Sequence, residues 1–576
     1  MIMTDADHDG IHIASLIINV FHFLFPSLLN REKPFLITMQ TPIIKILNKN
    51  LLFYRDEHYQ KYIEENGTQN LKIKYYKGLG TSSDKEIKET FGKYVISFKQ
   101  DQNTEQTINL VFNNKLADDR KNWMTNYKPV CPPQNITEMS ISDYLNTEQI
   151  KFSISDCARS LPNVYDGMKE SHRKIMYGIL KKDSKSSIKV AQLAGYIAEI
   201  TNYHHGEQNL FETITKLAQD FPGSNNIPYL VKDGQFGTRL SGGKDAANAR
   251  YIFTKLSNIT RLIFPKEDDV LLDYVIDEGE KVEPKYYIPI IPTILVNGCK
   301  AGIGTGWSTS IPSYNPKDLI NCIKDWLDKR TIREITPFYK GFEGIIIKIG
   351  DTKYETSGVF NKVGNKCTIN ELPIMTWTDK QKEYYEGLLE NKKIKSLKNY
   401  STPEKVHFEI VENENMECNK DTLKLTSTLS TSNMVLFTDN MKLKKYKNIN
   451  EIIDDFCKKR FQLYYKRREC IIYTLENQIK DLKQKHKFIY LVVNEKIIIF
   501  KQKEEVIIKN LEEYRFQHKE GSYNYLLNIN INKFTQTYID KLEKEIKVTN
   551  IELEEVKSTS PKDMWLEELN KLSEKL

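Results

Sequence analysis

The stretch "ECIIYTLENQIKDLKQKHKFIYLVV" (469–493) constrains the fold more than any other. Ile472, Leu475, Ile479, Leu482, Ile489 and Val493 follow one another at steps of three or four residues, or their sum. Charged residues fill the other faces, and His486 breaks the seam. A narrow apolar stripe on a charged helix is covered by a partner helix rather than by a globular core. The pattern therefore predicts a coiled-coil arm. The segment "SPKDMWLEELNKLSEKL" (560–576) begins with Ser560 and Pro561, an N-cap residue and a first-turn proline. It is expected to be helical and to return along that arm.

An arm needs a body, and 576 residues exceed what one core can bury. Residues 1–29 read as a strand end, a turn and a helix. "FLITMQTPIIKIL" (35–47) and "LKIKYYKGLGTS" (71–82) read as strands leading to a glycine turn. This alternation predicts a small α/β domain over residues 1–115. The polar stretch 116–150, with "KPVCPPQN", is expected to be a linker. Helical periodicity dominates 151–290, where Val190, Leu193, Ala194, Ile197 and Ile200 share one face. From "YYIPIIPTILVNG" (286–298) to about residue 450, short strands and turns prevail. The fold class expected is a multidomain mixture of α/β and α+β units. The apolar run Ile11–Leu29 is interrupted by His12, Ser15, Asn19, His22 and Pro26, so it reads as a buried helix rather than a membrane span. Eight scattered cysteines without a CxxC pair, and acidic rather than basic first residues, suggest an intracellular chain with reduced thiols. A net charge of +7 permits a nucleic-acid partner without requiring one.

Several stretches carry chemistry. In "MIMTDADHDGIHI", Asp5, Asp7 and Asp9 lead to Gly10. An EF-hand loop would put its closing glutamate at position 16, which is Leu16, and Ile13 occupies its ninth position. On an extended segment the three carboxylates would point to one side and could serve Mg²⁺, which needs few carboxylates and keeps water or phosphate oxygens. An acidic turn without a role is the other reading of this stretch. In "GGKDAANARYIFTKL" (242–256), Arg250 and Tyr251 follow a run of small residues that would let a phosphate approach. A phenol ionises near ~10, so about one in a thousand is a phenolate at neutral pH, a deficit of roughly 4 kcal/mol. A guanidinium beside it offsets part of that and stabilises charge on a pentacovalent phosphate. A surface tyrosine packed on an arginine would look the same.

Lys169, Arg173 and Lys174 lie near one face around a helix start, as a phosphate-backbone contact or a solvated helix face would. His204 and His205 lack Cys or Asp partners at ligand spacing, leaving a core or DNA-facing role. Two tempting motifs fail. "GIGTGWS" (302–308) is not G-x-G-x-x-G, and "RLSGGKD" (239–245) has Asp245 where a P-loop needs Ser or Thr. No ATP site is read in this chain.

Together the pieces form an ordered set: "IMTDADHDGIHI", "KYYKGLGTS", "VYDGMKESHRKI", "KVAQLAG", "YHHGE", "GSNN", "GQFGTRLSGGKDAANARYIFTKL", "YIPIIPTILVNG" and "GIGTGWST". This set closely resembles the breakage–reunion core of eukaryotic-type DNA topoisomerase II, including the forms carried by large DNA viruses, and the likeness spans essentially the whole chain. The resemblance implies a TOPRIM domain at 1–115, a winged-helix domain at 151–290 with the catalytic tyrosine, a tower at 291–450, and a coiled coil with a dimer gate at 451–576. It implies that Asp5, Asp7 and Asp9 hold Mg²⁺, in a two-metal site shared with an E-G-D-S glutamate placed before residue 1. Tyr251 matches the tyrosine that becomes linked to a 5′ phosphate, and Arg250 the arginine that supports it. Lys169, Arg173, Lys174, His204, His205 and Lys77 match DNA-contacting stretches. Ile303 matches the isoleucine that wedges between base pairs. Duplex DNA, a second copy of the chain, ATP used by a region outside these residues, no membrane, and a nuclear or viral-replication-site location are implied as well. Two departures stand out. The family usually has Gln where this chain has His172, and a one-residue difference precedes Ile303 in "NGCKAGIG".

Overall fold

The computed structural model describes residues 1–76, 79–133, 136–414, 416–519 and 521–576. It is a mixed α/β chain built around several separate cores. In the first, strands Ile37–Met39, Val95–Lys99 and Glu138–Ser140 form one sheet; the first pair is antiparallel and the second parallel. Ile2 adds a parallel bridge to Thr38. The opening helix, His8–Leu24, buries Ala14 and Ile18 against this sheet. A second small sheet, centred on Ile44–Ile46, carries the helix Asp56–Asn66.

The expected linker at 116–150 is corrected here. Glu138–Ser140 completes the first sheet, and Met139, Ile141, Tyr144 and Leu145 belong to its core. The strand and the helix are each only three or four residues long, too short for a periodic apolar pattern to show through the polar sequence around them.

The largest core collects the helices Glu170–Lys182, Val190–Ile200 and Glu207–Ala218. It continues without a break past residue 290 to Ile335, and takes in the base of the long helix through Ile452, Phe456 and Tyr464. A compact unit with its own core stands apart, built on the four-stranded antiparallel sheet of Val359–Val363, Lys366–Glu371, Phe408–Glu412 and Ile394–Asn399 with the helix Thr378–Glu390. The boundary expected at 290/291 therefore does not coincide with a core boundary.

The long helix, Ile449–Val493, runs 45 residues, about 68 Å at the α-helical rise. Its partner is Gln536–Ser558, lying antiparallel: Lys557 meets Glu476, and Glu543 meets His486. Ile489 packs on Ile539 and Leu542. The expectation that 560–576 returns along the arm is corrected. That helix, Pro561–Lys575, turns away and buries Trp565, Leu569 and Leu572 in the main core. Trp565 donates its indole N–H to the carbonyl of Ile290 at 2.9 Å. Among the described residues, no helix is long and apolar enough to cross a membrane.

Candidate active site

Tyr251 is placed by its neighbours rather than by its own side chain. Ala249 and Ile252 are buried on either side of it, while Tyr251 itself is 70% exposed. The amides of Val190 and Ala191, at the start of their helix, donate to the carbonyls of Ile252 (3.0 Å) and Ala249 (3.2 Å). Donors at a helix N-terminus have no intrahelical partner. Here the tyrosine loop satisfies them, so the loop is tied to a rigid element. Gly234, at φ +113°, lets the neighbouring strand approach; a Cβ there would meet Ile252 at 2.9 Å. Phe253 and Asp233 exchange backbone hydrogen bonds of 2.8 and 3.2 Å just beyond the tyrosine.

Arg250 is held by Asn248, whose Oδ1 accepts from both the backbone N–H and Nε of Arg250 at 3.2 Å. The guanidinium carbon sits 5.8 Å from the centre of the Tyr251 ring. Beside them opens a groove of about 940 Å³ whose lining includes Arg250, Asn248, Lys244, Lys216 and Gln219. Sequence reasoning passed over Asn248, Lys216 and Lys244; the only signal for Asn248 was its place two residues before Arg250. Asp245 accepts from the backbone N–H (2.8 Å) and hydroxyl (2.6 Å) of Thr238, which accounts for the acidic residue in "RLSGGKD".

The three carboxylates do not lie on an extended strand, which corrects the alternation argument. Asp5 is in a loop, Asp7 is the N-cap of the opening helix, and Asp9 is in its first turn. Asp7 Oδ1 accepts from the N–H of Gly10 at 2.8 Å. Gly10 is required by close approach, since a Cβ there would lie 2.0 Å from the carbonyl oxygen of Asp5. Asp9 is bound at both oxygens by Arg159 (2.9 and 3.0 Å), and His205 Nδ1 stands 3.9 Å away. The Arg159 hydrogen bonds hold the Asp9 carboxyl below the usual carboxylate range. Among the described residues, the ligand atoms of Asp5, Asp7 and Asp9 do not gather within 4.8 Å. Asp9 is thus engaged by a guanidinium, while Asp7 caps the helix that carries it.

Arg159 comes from the helix Ile150–Ser160, which sequence reasoning gave no role. This helix is the hub of the site. Its Asp156 accepts from the backbone N–H (2.7 Å) and hydroxyl (2.9 Å) of Thr305, anchoring the hairpin Cys299–Ile311. Gly302 and Gly304 face down onto Ser160, Leu161 and Cys157, where a Cβ would lie 3.0 Å from backbone atoms. Ile303 between them therefore points outward, 74% exposed. His204 and His205 are exposed on the turn after Ile200, His205 edge-on to Tyr203. Lys169 is half-buried at the start of its helix.

Two expected DNA contacts point elsewhere. Lys174 is buried, donating to the carbonyl of Thr201 (2.9 Å) and paired with Glu283 (2.8 Å). Arg173 is paired with buried Asp166 at 2.7 Å and also donates to Met168. The helix turns both side chains toward buried carboxylates, Asp166 and Glu283. Lys77 lies outside the described residues.

His172 explains the departure from glutamine. Its Nδ1 accepts from the backbone N–H of Lys169 at 3.3 Å, the task a Gln performs in a capping box. Burial pushes its pKa down to about 3, and burial also lowers His8 and His12. All three are neutral in the fold and take up protons more readily when unfolded. They therefore contribute stability above about pH 6.5, lost as pH falls toward their folded values. Urea midpoints should drop between pH 7 and pH 5, and His172→Gln should flatten that slope while leaving stability at pH 7 within about 1 kcal/mol of the parent. An unaltered slope in the variant would refute the assignment.

Comparison with known proteins bears on this geometry. Residues 159–570 match the family described as the A subunit of DNA gyrase/topoisomerase IV, and residues 39–157 match the C-terminal associated domain of TOPRIM. The chain is 40% identical over 602 residues to the DNA topoisomerase 2 of Invertebrate iridescent virus 6, covering 99% of this chain and 53% of that protein. It is 39% identical over 630 residues to that of Plasmodium falciparum (isolate K1 / Thailand), covering 100% of this chain and 45% of that protein. It is also similar to the crystal structure of the Plasmodium falciparum topoisomerase II DNA-binding, cleavage and re-ligation domain, with a TM-score of 0.87 and 39% identity over 99% of this chain and 84% of that one. The chain spans about half the length of these curated relatives.

Proposed function

Because this chain belongs to the type II DNA topoisomerase family, we propose that it forms the core that cuts and rejoins duplex DNA in such an enzyme. The observation that carries the proposal is the exposed Tyr251, fixed by buried flanks, beside an Arg250 that Asn248 aims along the rim of a basic groove. Tyr251 Oη attacks a backbone phosphorus and loses its proton. The P–O3′ bond breaks, and the 3′ oxygen leaves and is protonated. The 5′ phosphate stays joined to the tyrosine. Reversal by the 3′ hydroxyl restores the duplex without ATP, since the phosphodiester energy is kept in the covalent link. Arg250 stabilises the charge that gathers on the phosphate oxygens. Asp5 and Asp7 would hold Mg²⁺, whose contribution is to neutralise that charge. Two copies would each cut one strand, and ATP would drive only passage of a second duplex. Ile303 would enter the base stack and bend the DNA, exchanging unstacking energy for a wrapped contact.

Incubation with supercoiled plasmid and Mg²⁺, stopped with detergent, tests this. Protein joined to the 5′ ends of broken DNA is expected, with binding that weakens steeply as salt rises. DNA bound but never linked would favour a second reading, a module that bends and holds duplex DNA without cutting it, because the glutamate that the family pairs with these carboxylates is not among these residues.

A further inference from the structure

The unit with its own core contains a cluster that the DNA reaction does not use. Cys367 lies in the strand Lys366–Glu371, and Glu412 ends the strand Phe408–Glu412 paired with it. Cys418 follows in the next loop, and its backbone N–H donates to Glu412 Oε1 at 2.5 Å. The two sulfurs and a Glu412 oxygen all lie within 4.8 Å of one another; among the described residues no other three His, Cys, Asp or Glu side chains converge in this way. We propose that Cys367, Cys418 and Glu412 form a binding site for a thiophilic divalent cation, with Zn²⁺ as its natural class.

Three arguments carry this. The ligands are positioned by backbone: Cys367 pairs in register with Ile410, and the Glu412–Cys418 hydrogen bond holds Cys418 beside the sheet. The donors are soft, and Cys367 and Cys418 are almost fully buried, at 0% and 2% exposure. Thiolate sulfur with one carboxylate selects zinc-like ions over Mg²⁺ or Ca²⁺. The charges also balance. Glu412 is already paired with Lys362 at 2.6 Å, so with both thiols protonated the cluster is neutral. A dication that displaces both thiol protons leaves it neutral again, avoiding the cost of a net buried charge. Lys362 is shared with the exposed carboxylate of Glu417 at 3.3 Å. Binding would tie Cys418 to the sheet, and its free energy would add to the stability of this unit.

The test is a Co²⁺ titration of the full reduced chain in excess Mg²⁺, so that oxygen-ligand sites are filled. One equivalent should bind with a thiolate-to-cobalt charge-transfer band that Zn²⁺ displaces. Cys418→Ser and Cys367→Ser should abolish the band, and Cys470→Ser should retain it. A second arm needs no variant. In mild urea, Zn²⁺ at 100 times its Kd should slow alkylation of Cys367 and Cys418 about a hundredfold, but not that of Cys322 or Cys457. Absence of the band, its survival in Cys418→Ser, or alkylation unchanged by Zn²⁺ would each overturn the site.

Discussion

Tyr251→Phe should yield no protein-linked DNA while binding duplex DNA as the parent chain does. The change deletes one oxygen from a side chain that is 70% exposed, and its ring keeps the Arg250 contact. What fixes the loop is backbone: the Tyr251 N–H to the Asn248 carbonyl at 2.9 Å, and the helix-capping carbonyls of Ala249 and Ile252. Stability should therefore move by less than about 0.5 kcal/mol, as at ordinary surface positions. DNA affinity, carried by phosphate contacts along the groove, should be unchanged at matched salt. Only the nucleophile is lost, and Arg250 cannot replace it. The measurement pairs a detergent-trapped cleavage assay with a binding curve. Adducts at parental level in the variant would place the covalent link on another residue. A parallel loss of binding would mean that the groove, rather than the chemistry, had been damaged.

The second large effect is predicted far from Tyr251, where the long helix meets the body. Arg460 is fully buried and Arg467 nearly so, and both bind the buried carboxylate of Asp268. Arg460 also donates to the carbonyl of Ile288 at 2.7 Å, and Glu568 from the last helix completes the cluster. Among the described residues, Arg460 Nε and Nη2 and Arg467 Nη2 already lack hydrogen-bond partners. Asp268→Ala would leave two guanidiniums sharing one carboxylate in a dry site. Removing one partner of a buried ion pair costs about 3–5 kcal/mol, because the remaining charge is stranded. The loss should appear as a lower urea midpoint and as faster hydrogen exchange in 456–468 and 561–572, the two segments this cluster joins. Asp269→Ala is the control: its carboxylate is partly exposed and 3.5 Å from Arg261, so it should cost under about 1 kcal/mol. Equal costs at the two positions would refute the network as the lock between arm and body.

Local pattern made much of this protein legible in its sequence. A three-and-four spacing from Ile472 to Val493 requires a long helix with a narrow seam, whatever surrounds it. Ser560 followed by Pro561 writes a helix start, because a cap oxygen and a residue that needs no N–H partner are both favoured there. The ordered motifs, taken together, carry the family. Pairing across long separations was not legible. Lys174 resembled a DNA-facing lysine until Glu283 and Thr201 met it inside the core. Nothing near Asp9 in the sequence announced Arg159, which binds both of its oxygens. The partner of the arm is Gln536–Ser558 rather than the final helix, and two cysteines without any motif converge on Glu412. Helix and turn signals act over a few residues, so the chain itself states them. Whether a charged or thiol side chain faces solvent, an ion or a buried partner depends on which distant residue the fold brings beside it, and only the tertiary structure decides that.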